Sequence, residues 1–195
     1  MKQTDTKLAE VRYPLPQLNR SCVRCPDLVK SRKRVTFGYG NIYTNVMFVG
    51  EAPGYNGCDV TGIPFTRDPS GELFQQMLHE VGWTKESVYV TNIVKCCPPG
   101  NRTPTEKEVN NCSIYLEYEI ARIYPTYIVL VGKPALQYFF PMKTKIIANW
   151  DKEFTHPNYP GIKFVVLPHS AYITRNRELR EDYLNSFRKL KILTG

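Results

Sequence analysis

The chain predicts a single domain with an α/β fold built on a parallel sheet, and three observations carry that expectation. Four apolar runs, Val46 to Gly50, Val88 to Val94, Tyr127 to Gly132 and Lys163 to Leu167, recur with helical material between them. Strands joined by crossover helices produce this alternation. The 195 residues are enough to bury a core without disulfides. No internal repeat, low-complexity tract or interdomain linker interrupts them, so one domain over residues 1–195 is expected.

Taken in order, Thr4 to Val11 reads as a short helix capped by Thr4 or Asp5 and ended by Pro14 and Pro16. Cys22-Val23-Arg24-Cys25 follows, a pair whose sulfurs can face one metal centre from a single tight turn. The basic run Lys30-Ser31-Arg32-Lys33-Arg34 reads either as a solvated face or as a contact for DNA phosphates. The first strand ends in Gly50-Glu51-Ala52-Pro53-Gly54, where Gly50, Pro53 and Gly54 stop it and let the backbone approach a ligand closely. Ser70 is the expected cap of a helix whose Leu73, Met77, Leu78 and Val81 share a face until Gly82 ends it. A longer helix begins near Pro104-Thr105-Glu106 and carries Val109, Cys112, Leu116, Ile120 and Ile123 on one side before Pro125. A third spans Lys133 to Phe140, and the last runs from about Arg177 to Leu190.

Strand ends are where this sequence becomes chemical. The first delivers Glu51, the second Asn92 and the fourth His169, and in an open parallel sheet ligands bind beyond the carboxyl ends of the strands. Alone, each is an ordinary turn-capping residue. Three converging on one crevice favour a site.

A formal net charge of +8 points to a polyanionic partner, because clustered Lys and Arg gain affinity by releasing counterions from phosphates. The amino terminus leads into no apolar run of signal-peptide or membrane-spanning length, so a cytoplasmic, reducing compartment is expected. There, six cysteines read as ligands or buried thiols rather than disulfides. Four dispersed thiolates suit a 4Fe-4S cluster, and spacing alone leaves zinc open.

Five ordered motifs settle the direction: Gly50-Glu51-Ala52-Pro53-Gly54, Gly62-Ile63-Pro64-Phe65, Thr91-Asn92-Ile93-Val94-Lys95-Cys96, Pro98-Pro99-Gly100-Asn101-Arg102-Thr103-Pro104 and His169 through Asn176. Together they resemble the iron-sulfur uracil-DNA glycosylases, with family 4 the nearest pattern, from about Cys22 to the final helix. The resemblance implies a three-layer α/β/α fold around a central four-stranded parallel sheet, in a monomeric enzyme acting on uracil in single- or double-stranded DNA. It also implies a structural 4Fe-4S cluster held by Cys22, Cys25, Cys96 and Cys112. Cys97 stands where that motif carries Arg, and Cys58 has no counterpart among the ligands. The segment Tyr55 to Gly62 lacks the acidic run typical of family 4 and is more similar to family 5, as is Phe65 to Gly71. Family 5, though, lacks an acid at the Glu51 position. The departure bears on which deaminated bases are accepted.

By the same resemblance, Phe65 stacks on the extruded base, Asn92 reads its edge, and His169 donates to uracil O2. Backbone N–H groups near Gly50 to Ala52 are its co-donors to O2, and Glu51 then orients or activates the attacking water and stabilises the cationic sugar. Ala171 to Asn176 is expected to be a loop that enters the DNA groove, with Tyr172 or Ile173 either an apolar wedge or packed under the final helix, and Arg175 on a phosphate. The rival reading is a catalytically silent iron-sulfur DNA-binding protein of the same fold.

Overall fold

The computed structural model describes residues 21–143 and 145–194, so the helix expected at Thr4 to Val11 lies outside the described residues. A six-stranded sheet is built from β1 (Tyr39–Gly40), β2 (Val46–Gly50), β3 (Tyr89–Asn92), β4 (Tyr127–Val131), β5 (Glu153–Thr155) and β6 (Lys163–Leu167). Its order is β1-β3-β2-β4-β6-β5. The four central strands are parallel, as the apolar runs predict, and β1 and β5 add antiparallel edges that were not expected. Both edges are two or three residues long and carry no apolar run, which is why sequence patterning passes over them. Short edge strands also present little unpaired backbone to a second sheet.

The helices are α1 (Pro26–Ser31), α2 (Cys58–Thr61), α3 (Pro69–Glu80), α4 (Glu106–Ile123), α5 (Lys133–Phe139), α6 (Ser170–Arg175) and α7 (Arg180–Thr194). Alternate residues of β2 enter opposite cores. Val46 and Phe48 pack with Phe74, Met77 and Phe187 of α3 and α7, while Met47 and Val49 pack with Leu116, Ile120 and Leu136 of α4 and α5. Burial on both faces is what makes a parallel strand a continuous apolar run, and it produces three layers here. Among the described residues, no helix is long and apolar enough to cross a membrane.

Two local expectations need correction. Asp68, not Ser70, caps α3: its Oδ1 accepts from the Gly71 N–H at 2.8 Å and from the Ser70 hydroxyl. Pro69 then occupies the first helical turn, where its missing N–H costs nothing. The segment expected as a loop, Ala171 to Asn176, is instead mostly helix α6 with His169 as its N-cap. Helix α4 starts where the sequence predicts, because Thr105 and Glu108 close a reciprocal capping box.

Candidate functional site

At the carboxyl end of the sheet, Gly50 and Asn92 are register partners in neighbouring strands. The loop after β2 is tied to the chain beyond β3 by Ile93 N–H to Gly50 O at 2.9 Å and Val94 N–H to Glu51 O at 3.0 Å. A side chain at position 50 would have nowhere to go, since its Cβ would lie 2.5 Å from Asn92 Oδ1 and 2.6 Å from Phe65 Cζ. The absent side chain lets an amide and an aromatic ring meet at one strand end.

Phe65 is held in an unusual conformation. Its φ is 53°, a left-handed backbone that a non-glycine residue adopts only where its surroundings impose it. Gln75 supplies one such restraint by donating to Phe65 O at 3.0 Å while its amide also reaches Tyr39 Oη at 2.6 Å. Gly71 leaves the room this conformation needs, because a Cβ there would strike the Phe65–Thr66 peptide at 2.5 to 2.7 Å. The ring stacks on Phe74 at 4.4 Å and stands 5.5 Å from the His169 imidazole.

His169 follows β6 and caps α6. The Ala171 N–H donates to its Nδ1 at 3.1 Å, so Nδ1 is the acceptor nitrogen and Nε2 carries the proton of the neutral ring. Burial pushes the imidazole below its ordinary pKa, against the raising effect of Asp68 and with the lowering effect of Arg175. Gly132, at the end of β4 with φ 92°, makes room for it: a Cβ would lie 3.2 Å from His169 Cβ. The arrangement yields a neutral hydrogen-bond donor.

Glu51 is half-buried, and burial raises its carboxyl above the ordinary value although a Thr103 side-chain hydrogen bond pulls the other way. Thr103 belongs to the Pro98 to Pro104 motif. That motif is anchored by a two-point Arg102–Glu108 ion pair at 2.7 and 2.8 Å and by Asn101 Oδ1, which accepts the Tyr55 N–H at 2.8 Å. Its work is to hold the loop that carries Glu51.

The wedge candidates divide. Ile173 is 1 % exposed within the core, whereas Tyr172 is half-buried and lines a cavity of about 660 Å³ beside His169, with Lys133 and Lys145 on its rim. Arg175 is exposed at the end of α6. Helical geometry separates neighbours that a loop would have let point together.

The cysteines also divide. Cys22, Cys25, Cys96 and Cys112 line one cavity of about 20 Å³, and neither Cys58 nor Cys97 reaches it. Hydrogen-bond donors gather on three of these sulfurs: Arg32 Nη1 on Cys96 at 3.1 Å, the Lys95 N–H on Cys112 at 3.3 Å, and the Asn111 amide on Cys25 at 3.6 Å. Burial pushes the Cys112 thiol up to about 12 and the Cys96 thiol upward as well. Among the described residues no three His, Cys, Asp or Glu groups close on a single metal ion. Four sulfurs around a void, with N–H donors aimed at them, are a donor set that fits a thiolate-ligated cluster.

Part of the basic run is drawn into this architecture. Arg32 also donates to Cys22 O at 2.8 Å, and the Lys33 and Arg34 N–H groups bond to the fully buried Asp59 carboxylate. One pairing escaped sequence reasoning. Lys95 and Glu119 form an ion pair at 2.6 Å immediately behind Asn92, with side chains 1 % and 5 % exposed. The signal was present: Glu119 lies seven residues after Cys112, two turns along the apolar face of α4, where a charge is out of place.

The profile of the Uracil DNA glycosylase superfamily matches residues 37–191. The chain is 35 % identical over 188 residues to a type-4 uracil-DNA glycosylase of Archaeoglobus fulgidus, covering 90 % of this chain and 89 % of that protein. To the Thermotoga maritima type-4 uracil-DNA glycosylase it is 39 % identical over 181 residues, 88 % of either chain. Identity to a type-5 uracil-DNA glycosylase of Pyrobaculum aerophilum is 34 % over 143 residues, 59 % of this chain and 63 % of that protein. A crystal structure of wild-type Pedobacter heparinus SMUG2 shares the fold, with TM-score 0.51, 16 % identity, and coverage of 77 % of this chain and 76 % of that one.

Proposed function

The chain belongs to the uracil DNA glycosylase superfamily, and we propose how its residues divide the work of excising uracil from DNA. The base must leave the duplex before its N-glycosidic bond is accessible, which costs a few kcal/mol in unstacking and unpairing. Phe65 offsets part of this, since stacking on an aromatic ring contributes about 1 to 3 kcal/mol per base. The conformation held by Gln75, with Gly71 leaving room for it, means that the ring is set before the base arrives.

Asn92 reads the base. Its carbonyl oxygen accepts from uracil N3–H and its amide donates to O4, whereas cytosine presents the opposite pattern on both edges. As the glycosidic bond breaks, the sugar takes on oxocarbenium character and negative charge collects on uracil O2. His169 donates there through Nε2–H, a neutral donor because its other nitrogen is occupied by the Ala171 N–H. Glu51 orients the attacking water and, as a carboxylate, stabilises the cationic sugar. The observation that carries this reading is the meeting of the Asn92 amide and the Phe65 ring over the missing side chain of Gly50, with His169 against the same ring.

Tyr172 and Arg175 are assigned to the DNA strand beside the crevice, joined by Lys133 and Lys145 from the cavity rim. Ile173 drops out because it is buried in the core. A 4Fe-4S cluster on Cys22, Cys25, Cys96 and Cys112 would supply no step of hydrolysis; it would cross-link the Cys-x-x-Cys turn, the chain after β3 and α4. The direct test is incubation with labelled single- and double-stranded oligonucleotides carrying uracil, hypoxanthine, or thymine opposite guanine, scored for abasic sites. Abasic sites at uracil are expected. Binding without abasic sites on any substrate would establish the silent DNA-binding alternative.

A further inference from the structure

Behind Asn92 the structure commits a charged pair to the protein interior. The Lys95 ammonium has three donors and each has an acceptor: Glu119 Oε2 at 2.6 Å, Thr91 Oγ1 at 2.6 Å and the main-chain carbonyl of Asn92 at 2.8 Å. Glu119 is equally engaged, accepting from the Thr91 hydroxyl at 2.8 Å, from Tyr89 at 3.2 Å and from the Gly38 N–H at 3.4 Å. Stability alone does not call for such a pair, because well-packed apolar replacements of buried ion pairs are often neutral or stabilising. What the pair does supply is direction.

The place where it acts is informative. Strand β1 pairs with Tyr89 and Val90 and goes no further, so on that side Thr91 and Asn92 lack a neighbouring strand. There the ammonium takes over, gripping the hydroxyl of one and the carbonyl of the other. Lys95 is itself held at two points by α4: its ammonium by Glu119, and its N–H by Cys112 Sγ at 3.3 Å. We propose that Lys95 and Glu119 are positioning residues that fix the base-reading amide of Asn92 and tie it to the helix that carries Cys112.

This inference rests on the reading of Asn92 given above, so the experiment separates the two. The full chain would be prepared with Asn92→Ala, with Glu119→Gln, and with Lys95→Met and Glu119→Gln together. Each would be followed by thermal midpoint, visible absorbance, kcat and KM for uracil release, and the ratio of uracil to cytosine release. Glu119→Gln leaves a buried ammonium without its carboxylate and should lower the thermal midpoint. The double variant removes that charge and should recover the midpoint with parental absorbance, yet its kcat should stay about 10- to 100-fold down, as for a group displaced by about 1 Å. Its preference for uracil over cytosine should narrow, with KM little changed. A structural role predicts that activity returns with stability. Parental kcat and selectivity in the double variant, alongside an impaired Asn92→Ala, would overturn the clamp alone; a parental Asn92→Ala would overturn the reading of the crevice. Should the double variant fail to fold, Thr91→Val, assayed at a temperature where it stays folded, gives the same decision: a severalfold fall in kcat with a narrower preference for uracil over cytosine supports the clamp, and parental kcat and preference overturn it.

Discussion

The crevice and the cysteine pocket both draw on the chain around β3, yet they are built by opposite means. In the crevice, space and backbone do the positioning: Gly50 and Gly132 have no side chain where one would collide, and Phe65 is held at positive φ. Its proposed working groups are an amide, a neutral imidazole and a carboxyl with raised pKa. In the pocket, donors and cations do the positioning, with the Arg32 guanidinium and the Lys95 and Asn111 N–H groups aimed at sulfur. The first suits charge that develops transiently in a reaction, and the second suits negative charge that stays.

The most severe way to break this contrast is through the pocket. Cys112→Ser and Cys96→Ser should abolish bound iron and its visible absorbance, while Cys97→Ser and Cys58→Ser should retain both, because only the first two line the cavity. Iron per protein, measured by colorimetric assay, reads the result. Bleaching by Cys97→Ser with colour kept in Cys96→Ser would place the ligand one residue later.

Next in size is Glu51→Gln, expected to lower kcat by roughly 10²-fold or more as a general-base function is removed. The pH profile sharpens the point. Glu51 works ionised and its pKa is raised by burial, so activity is lost as pH falls through that raised value. His169 works neutral and its pKa is lowered, so its own loss also lies on the acid side, below the ordinary histidine range. The acid limb of kcat should therefore be shallower in Glu51→Gln, with one ionisation removed, and an unchanged limb would deny the carboxylate its role.

A smaller effect is expected from Gln75→Leu, which removes the donor to Phe65 O without touching the base. Uracil release should fall severalfold, chiefly through kcat, with visible absorbance intact; parental kcat would show that packing on Phe74 and the core alone sets the ring. Smallest is the effect of Arg32→Gln on DNA binding. Arg32 is engaged with Cys96 and Cys22, so its loss should leave the salt slope of affinity for undamaged DNA unchanged. Replacing Lys133 or Lys145 should reduce that log–log slope by about one each.

The four central strands were legible because burial on both faces writes them as unbroken apolar runs, and β2 and β6 end where the runs predict. Glu51, Asn92 and His169 were legible for a related reason, since polar residues just past such runs emerge at one sheet edge. The edge strands were not, because pairing of two or three residues leaves no periodicity. Ile173 could not be separated from Tyr172 until α6 turned them to different sides, and Lys95 read as part of a motif rather than as one half of a buried pair. Arg32 looked like one cation among four until the fold brought Cys96 to it, 64 residues along the chain. Local pattern revealed strands and their ends; the partners that distant segments provide had to come from the fold.

The central claim is that the groups at the ends of β3 and β6 carry out the reaction and the cysteine pocket does not. Single-turnover release of uracil from a labelled oligonucleotide by His169→Ala and Asn92→Ala, each with parental visible absorbance and parental affinity for undamaged DNA, tests it most directly. Loss of one preorganised donor costs about 2.7 to 4 kcal/mol, so the His169→Ala rate should fall roughly 10²- to 10³-fold. Asn92→Ala should fall strongly as well. Parental rates from both proteins would contradict the account.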